Sequence, residues 1–330
     1  MIEYKLKQKE NKATTFDMSL QPLRIVFMGT PEFAVASLDA LVNAGYNVVG
    51  VITAPDKPAG RGMQLQQSAV KKYAVEHHLK VLQPEKLKNP DFLAELKSLN
   101  ADLQIVVAFR MLPEVVWNMP PMGSVNLHGS LLPQYRGAAP INWAVINGEK
   151  QTGVTTFKLK HEIDTGDILL QESFPIGEND TAGEVHDTMK AIGAAVLVRT
   201  VKGLAEGLLT ETPQSEIANL QSKIQHAPKI FTETCKIDFT KTVAEVHNLI
   251  RGLSPFPGAF TMLDGKTLKI YKSEKQITEP KLAVGNYETD GKTFLRFACT
   301  DGYITVKELQ LEGKKKMLVE DFLRGYRFTS

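Results

Sequence analysis

Cysteine is scarce in this chain, with only Cys235 and Cys299 among 330 residues. Neither belongs to a Cys-x-x-Cys or Cys/His cluster, which argues against a disulfide framework and a structural zinc site and fits a reducing compartment. Long apolar runs are missing, so no segment is suited to spanning a bilayer. Residues 1–17 are rich in Lys, Gln and Glu and lack the apolar centre of a secretion signal. Met18 offers a second start, and residues 1–20 are expected to form a disordered tail. A dominant charge sign is absent too: 39 Lys and Arg stand against 37 Asp and Glu, a net +2 that does not advertise a polyanion partner. Only the C-terminal part leans basic, with 18 Lys and Arg against 15 Asp and Glu over residues 210–330, which permits contact with a phosphate backbone without requiring it. The expectation is a cytoplasmic protein with no membrane partner and no metal, acting as a monomer.

What is present has ordinary globular composition, and the length supports two domains with separate cores. Leu23–Met28 is a short branched apolar run ending at Gly29-Thr30-Pro31. Val35, Leu38, Leu41 and Val42 then recur at helical spacing, Gly45 supplies a stop, and Val48–Ile52 is the next apolar run. Strand, helix and strand over this length make a βαβ unit and imply a parallel sheet. Leu103–Ala108, Val154–Phe157 and Ile168–Gln171 read as further strands, and Ala182 to Leu204 as a long closing helix. Residues 208–228 are polar and carry Pro213 and Pro228, as a linker would. Beyond them one helix, Val243–Arg251, precedes short β-like runs separated by Asp264-Gly265, Asp290-Gly291 and Asp301-Gly302. The expected fold is α/β: a Rossmann-like, mostly parallel sheet over 21–207, a linker over 208–228, and a small OB-like β-barrel over 229–330.

The densest run of special residues is Val125–Pro140, V-N-L-H-G-S-L-L-P-Q-Y-R-G-A-A-P. Asn126 and His128 are two apart, so on an extended segment both side chains point to one face. Asp164-Thr165-Gly166-Asp167 follows 36 positions after His128, as a tight turn. Each piece alone is ordinary, since Asp and Gly are common turn formers and a lone strand His is usually a packed one. Together they suit acyl transfer to an amine. The amine must be neutral when it attacks, the oxyanion needs a fixed donor, and the departing nitrogen must gain a proton. An Asn amide supplies the neutral donor, and a His beside a carboxylate supplies a proton carrier near neutrality. No metal and no nucleophilic Ser are needed.

Asn126-Leu127-His128-Gly129-Ser130-Leu131-Leu132-Pro133 with Asp164-Thr165-Gly166-Asp167 resembles the signature of the formyltransferase family that uses 10-formyltetrahydrofolate. The resemblance runs from about Leu20 to Phe328 and implies Asn126, His128 and Asp164 as catalytic residues, with Asn126 and His128 stabilising the oxyanion and Asp164 holding an ordered water and supporting His128. It also implies that Ser130, Leu131, Leu132 and Pro133 line the folate site and that Phe109, Arg110 and Met111 lie at the pterin pocket. The acceptor it implies is initiator methionyl-tRNA. Thr53–Lys72 is similar to a loop that family members acting on tRNA place at the acceptor end, and glycines flanking Arg61 let its guanidinium approach closely. Lys57, Arg61, Lys71 and Lys72 there, with Lys314 and Lys315 in the β-rich domain, are the expected phosphate contacts. The rival readings are donor hydrolysis, a nucleotide-sugar amine as acceptor, and a non-catalytic nucleotide or folate binder. Two departures from the family pattern stand out. Glu162, preceded by His161, replaces the customary Gly, and Glu resists positive φ. Val107–Pro113 is a residue shorter than usual and carries Arg110.

Overall fold

The protein is described from a computed structural model covering residues 23–59, 64–217 and 224–328; the expected N-terminal tail and Arg61 lie outside these described residues. The first unit opens with β1 (Arg24–Gly29), α1 (Glu32–Asn43) and β2 (Asn47–Ile52). A hairpin of β3 (Lys57–Ala59) and β4 (Gln64–Gln66) leads to α2 (Ala69–Glu76), β5 (Val81–Leu82), α3 (Pro90–Ser98) and β6 (Leu103–Val107). Then come α4 (Glu114–Trp117), β7 (Ser124–His128), β8 (Arg136–Gly137), α5 (Pro140–Ile146), β9 (Gln151–Lys158), β10 (Ile168–Pro175) and α6 (Ala182–Ala205).

Seven of these strands form one sheet in the order β10-β9-β7-β6-β1-β2-β5. Strands β5, β2, β1, β6 and β7 run parallel, while β9 is antiparallel to both β7 and β10. Central strands covered on both faces have no solvent side, which is why β1 is apolar from Ile25 to Met28 and β6 is apolar except for Gln104, whose buried amide oxygen accepts from Ser124 Oγ. The period of two is still at work inside them. Ile25 and Phe27 enter the core under α1 and α6, whereas Val26 and Met28 enter the core with Phe92 and Leu96 of α3. Thr181 and Glu184 cap α6 reciprocally, so its start is set locally by Thr-x-x-Glu.

The connecting segment carries β11 (His226–Ala227), and the second unit comprises α7 (Val243–Gly252), β12 (Ala259–Leu263), β13 (Lys266–Ile277), β14 (Tyr287–Thr289), β15 (Leu295–Ala298), β16 (Gly302–Leu311), β17 (Met317–Leu318) and α8 (Val319–Gly325). Its sheet is antiparallel in the order β12-β13-β16-β15-β14, with β17 on β16. The expected small barrel takes the form of a curled half-barrel folded over α7. Register shifts on either side of Lys272 in β13 mark where a long strand bends. Thr53–Lys72, read from sequence as a loop, holds the β3–β4 hairpin and the first turn of α2; its Ser68 caps α2 by accepting from the Lys71 N–H at 3.0 Å.

The two units meet where α7 and β13 face the loop before α6. Arg251, almost wholly buried, donates to the carbonyls of Gly177 at 3.3 Å and Asp180 at 2.9 Å. His247 is buried beside it, its Nδ1 3.0 Å from Ser273 Oγ, and its Nε2 has no partner among the described residues. Burial, reinforced by the Lys275 and Arg251 cations, pushes this imidazole down to about 4. The unfolded chain regains an ordinary histidine near pH 6.5. Between those values the unfolded state binds a proton that the folded state refuses, so stability falls as pH drops through that window and is flat above it, by about 3 kcal/mol at most. Thermal unfolding of the wild type and His247→Gln at pH 7 and pH 4.5 should show a smaller acid loss in the variant; equal losses would remove His247 as the cause.

Candidate active site

From β1 the chain builds outward through β2 to β5, then crosses back to lay β6 and β7 on the other side of β1. The order therefore reverses between β1 and β6, and the carboxyl ends of parallel strands splay apart at such a point. A cavity of about 760 Å³ opens there. The β1–α1 turn contributes Pro31 and Phe33, the exit of β6 contributes Ala108–Leu112, and the end of β7 contributes Asn126 and His128. The loop 160–164 and the start of α5 close the opposite wall.

Asn126 and His128 share one face of β7, as their spacing requires, and both reach the cavity. His128 Nε2 lies 2.9 Å from the Tyr135 carbonyl oxygen. A carbonyl can only accept, so Nε2 carries the hydrogen, and neutral His128 presents a bare lone pair at Nδ1. That nitrogen faces Asp164 Oδ2 at 3.8 Å, too far for a direct hydrogen bond. Oδ2 accepts from the Gly137 N–H at 2.9 Å. Two acceptors thus lie side by side, close enough for one donor placed beside them to bond both. Tyr135 is itself fixed: its hydroxyl donates to Glu149 at 2.6 Å, and burial together with that carboxylate raises the phenol well above its ordinary value. Asn126 is half-buried, and no described protein group takes its carboxamide, which leaves it free to face a ligand.

The loops are shaped by backbone chemistry. Asp164 has φ +54° and Ala108 +46°, so two non-glycine residues lining the cavity adopt the left-handed conformation, as does buried Tyr135 at +59°, whose carbonyl holds His128. The strain expected at Glu162 is therefore found two residues later, at Asp164, whereas Glu162 is exposed on the cavity rim without positive φ. Gly166 makes the Asp-Thr-Gly-Asp turn possible, since a Cβ there would sit 1.6 Å from the Lys158 carbonyl oxygen. At Ala108 the tight exit of the shortened segment turns Phe109, Arg110 and Met111 into the cavity wall. Arg110 also donates to the carbonyls of Pro84 and Glu85, tying two rims together.

Other expected residues are placed differently. Ser130, Leu131, Leu132 and Pro133 do not line the cavity; they form the turn behind its wall. Ser130 is fully buried with its hydroxyl on the Gln134 carbonyl at 2.6 Å, and Leu132 packs with Phe157 and Ile168. The reason is that the chain dives under β9 after Gly129, where Thr155 Oγ1 bonds both Ser130 and Leu132. Lys71 is an ion-pair partner rather than a free cation, holding Asp56 at 2.5 Å and keeping that carboxyl below its usual range. Lys57 and Lys72 are exposed, as are Lys314 and Lys315 between β16 and β17. One residue escaped sequence reading altogether. Gln214, in the polar stretch after Pro213, is buried with its amide on the Asp164 loop. Nothing local distinguishes it from a solvated linker glutamine.

Residues 23–201 match the formyl transferase family, and residues 229–327 match the formyl transferase C-terminal domain. The chain is 56% identical over 316 residues to methionyl-tRNA formyltransferase of Parabacteroides distasonis, covering 94% of this chain and 98% of that one. It is 54% identical to the protein of the same name from Bacteroides fragilis over 317 residues, again covering 94% and 98%. Among solved structures, the N-formyltransferase of Helicobacter canadensis in complex with folinic acid and dTDP-3-aminofucose superposes with a TM-score of 0.65 at 23% identity, covering 89% of this chain and 100% of that chain; at that identity the likeness speaks for the fold.

The hydrogen bond to Tyr135 makes a direct prediction. In protein labelled with ¹⁵N-histidine at pH 8, His128 should show a protonated Nε2 and an unprotonated Nδ1; the opposite tautomer would contradict the geometry.

Proposed function

The chain belongs to the formyl transferase family through both of its units, and on that premise we propose that it transfers the formyl group of 10-formyltetrahydrofolate to the α-amino group of methionine on initiator tRNA. The observation that carries the reading is that one carboxamide, one imidazole and one carboxylate converge on a single cavity at the switch point of the sheet. In this reading residues 21–207 form the catalytic domain, 208–228 the linker and 229–330 the tRNA-gripping domain.

The cavity suits a folate donor. Val106, Leu112, Trp117 and Leu159 offer apolar walls for a flat bicyclic ring, and Phe109 and Met111 extend them toward the mouth. Arg110, Lys160 and His161 stand at the rim, where the carboxylates of the folate tail would meet cations and solvent. Bound there, the donor supplies an activated formyl carbon on a nitrogen leaving group. No metal enters this reading.

Asn126 donates an N–H to the formyl oxygen as negative charge develops on it. Neutral His128 has its one N–H on Tyr135, so in this reading it joins Asn126 at the oxyanion only once Nδ1 is protonated. Before that, Nδ1 and Asp164 Oδ2, both acceptors, flank the position proposed for the amine and its hydrogens. The amine nitrogen attacks the formyl carbon, and its surplus proton passes to His128 Nδ1. The imidazolium is then held by the Asp164 carboxylate, and its Nδ1–H points back at the oxyanion. Its proton goes to the departing nitrogen as the bond from that nitrogen to carbon breaks.

Exposed Lys57 and Lys72, together with Arg61, lie along the segment that follows β2, and their charges suit the phosphates of an acceptor stem. Lys314 and Lys315 offer a second contact from the other unit.

The first experiment measures formyl incorporation into charged initiator tRNA from 10-formyltetrahydrofolate. Formate release without tRNA would favour donor hydrolysis, formylation of an amino-sugar nucleotide in preference to tRNA would favour the sugar reading, and binding without turnover would leave a non-catalytic folate or nucleotide binder. His128→Ala and Asp164→Ala should each lower kcat by roughly 10²–10⁴-fold with folding intact. Unchanged turnover in either would end the catalytic assignment. Arg61→Ala should weaken tRNA use and reduce the salt slope of tRNA binding by about 1 while leaving folate affinity alone. Equal loss with a minimal amine acceptor would contradict a phosphate contact.

A further inference from the structure

Gln214 lies outside the sheet, in a short 3-10 turn (Gln214–Glu216) of the segment that joins the two units. It is 4% exposed, although the residues on either side of it in sequence are polar or proline. All four hydrogen-bonding positions of its amide are used. Nε2 donates to the Asp164 carbonyl at 2.8 Å and to the Gly166 carbonyl at 2.9 Å. Oε1 accepts from Arg136 Nε at 3.1 Å and from Arg136 Nη2 at 2.5 Å. A glutamine amide has two donors and room for two acceptor bonds, so the residue is saturated. Only one orientation works, because flipping the amide would set its oxygen against two carbonyls and its NH₂ against a guanidinium.

These bonds tie together two loops that meet at the catalytic carboxylate. One is the turn 164–167, in which Asp164 is held at φ +54°. The other is β8, in which Arg136 precedes the glycine whose N–H binds Asp164 Oδ2. The same connecting segment reinforces both. Thr212 exchanges backbone hydrogen bonds with Ile168 at 2.8 and 2.9 Å, and β11 pairs in parallel with β8. Left-handed backbone at a non-glycine residue costs free energy and persists only where its surroundings over-determine it. The Nε2 bonds to the carbonyls on either side of Thr165 act directly on that conformation.

We propose that Gln214 is a positioning residue for the reaction, holding Asp164 in the left-handed conformation that aims its carboxylate at His128. The proposal rests on the catalytic reading of Asn126, His128 and Asp164, and it assigns the segment between the units a part in forming the site. Gln214 does not reach substrate; it acts through Asp164 alone.

The test uses the full-length protein with Gln214→Glu and Gln214→Met. The Glu variant keeps the shape and the pairing with Arg136 but loses both donors to the loop, while the Met variant keeps only the volume. Both should lower kcat by roughly 10–100-fold, as expected when a reacting group is displaced by a fraction of an ångström. KM for 10-formyltetrahydrofolate should change less than about threefold, since uniform binding is untouched. In single-turnover measurements on an Asp164→Asn background, adding Gln214→Glu should cost nothing further, because residues acting through one another are not additive. Unchanged kcat in the Glu variant, or an undiminished loss on the Asp164→Asn background, would overturn the assignment. A wild type inactive with tRNA and folate would instead sink the functional reading itself, so the two failures are distinguishable.

Discussion

The hydrogen bond from His128 Nε2 to the Tyr135 carbonyl governs what the cavity can do. It commits the only N–H of the neutral imidazole to the protein and turns the other nitrogen, as an acceptor, toward the Asp164 carboxylate. Two acceptors 3.8 Å apart repel unless a donor placed beside them bonds both. A neutral amine has those hydrogens, and it loses one as it becomes an amide. In the proposed reaction the site is complementary to the acceptor before attack, and the proton the amine gives up creates an ion pair that stabilises the tetrahedral intermediate.

Keeping that arrangement open has a structural cost, borne by the backbone. Ala108, Tyr135 and Asp164 are all left-handed; Ala108 and Asp164 line the cavity, and Tyr135 stands behind it with its carbonyl on His128. Such residues relax unless packing and hydrogen bonds hold them. Tyr135 is held by burial, by its Glu149 bond and by its own N–H on the Gln225 carbonyl at 2.7 Å. Asp164 is held by Gly137 and by the Gln214 amide. The chain between the two sheets, polar and proline-marked, is thereby drawn into the frame of the site. Gly137 shows how tightly: a Cβ there would lie 2.4 Å from the Ala227 carbonyl oxygen.

The second unit contributes in another way. Its half-barrel packs over α7, and α7 presents buried Arg251 and His247 to the loop that precedes α6. Arg251 donates to the Asp180 carbonyl and adds a second donor to the Gly177 carbonyl, which already accepts from the Asp180 N–H. The two sheets are thus joined by charge-assisted hydrogen bonds as well as by chain connectivity, and α6 runs from this junction along the face of the first sheet.

Much of the protein is determined by sequence alone. Period-two and period-3.6 patterns define β1, α1, β2, β6 and α6 because each buries a face whose apolar residues are local. The pair Asn126 and His128 is legible because alternation along one strand puts them on one side, and Asp164 only through the resemblance of Asp-Thr-Gly-Asp to the family signature, since such a turn is ordinary by itself. Tertiary structure alone decided the rest. The chain turns under β9 after Gly129, so Ser130–Pro133 became scaffold instead of lining; Lys71 met Asp56 across 15 residues and ceased to be a free cation. Gln214 reached Asp164 across 50 residues of chain. A hydrogen bond between distant residues leaves no period and no spacing in the sequence, because its geometry exists only after the strands between them have packed.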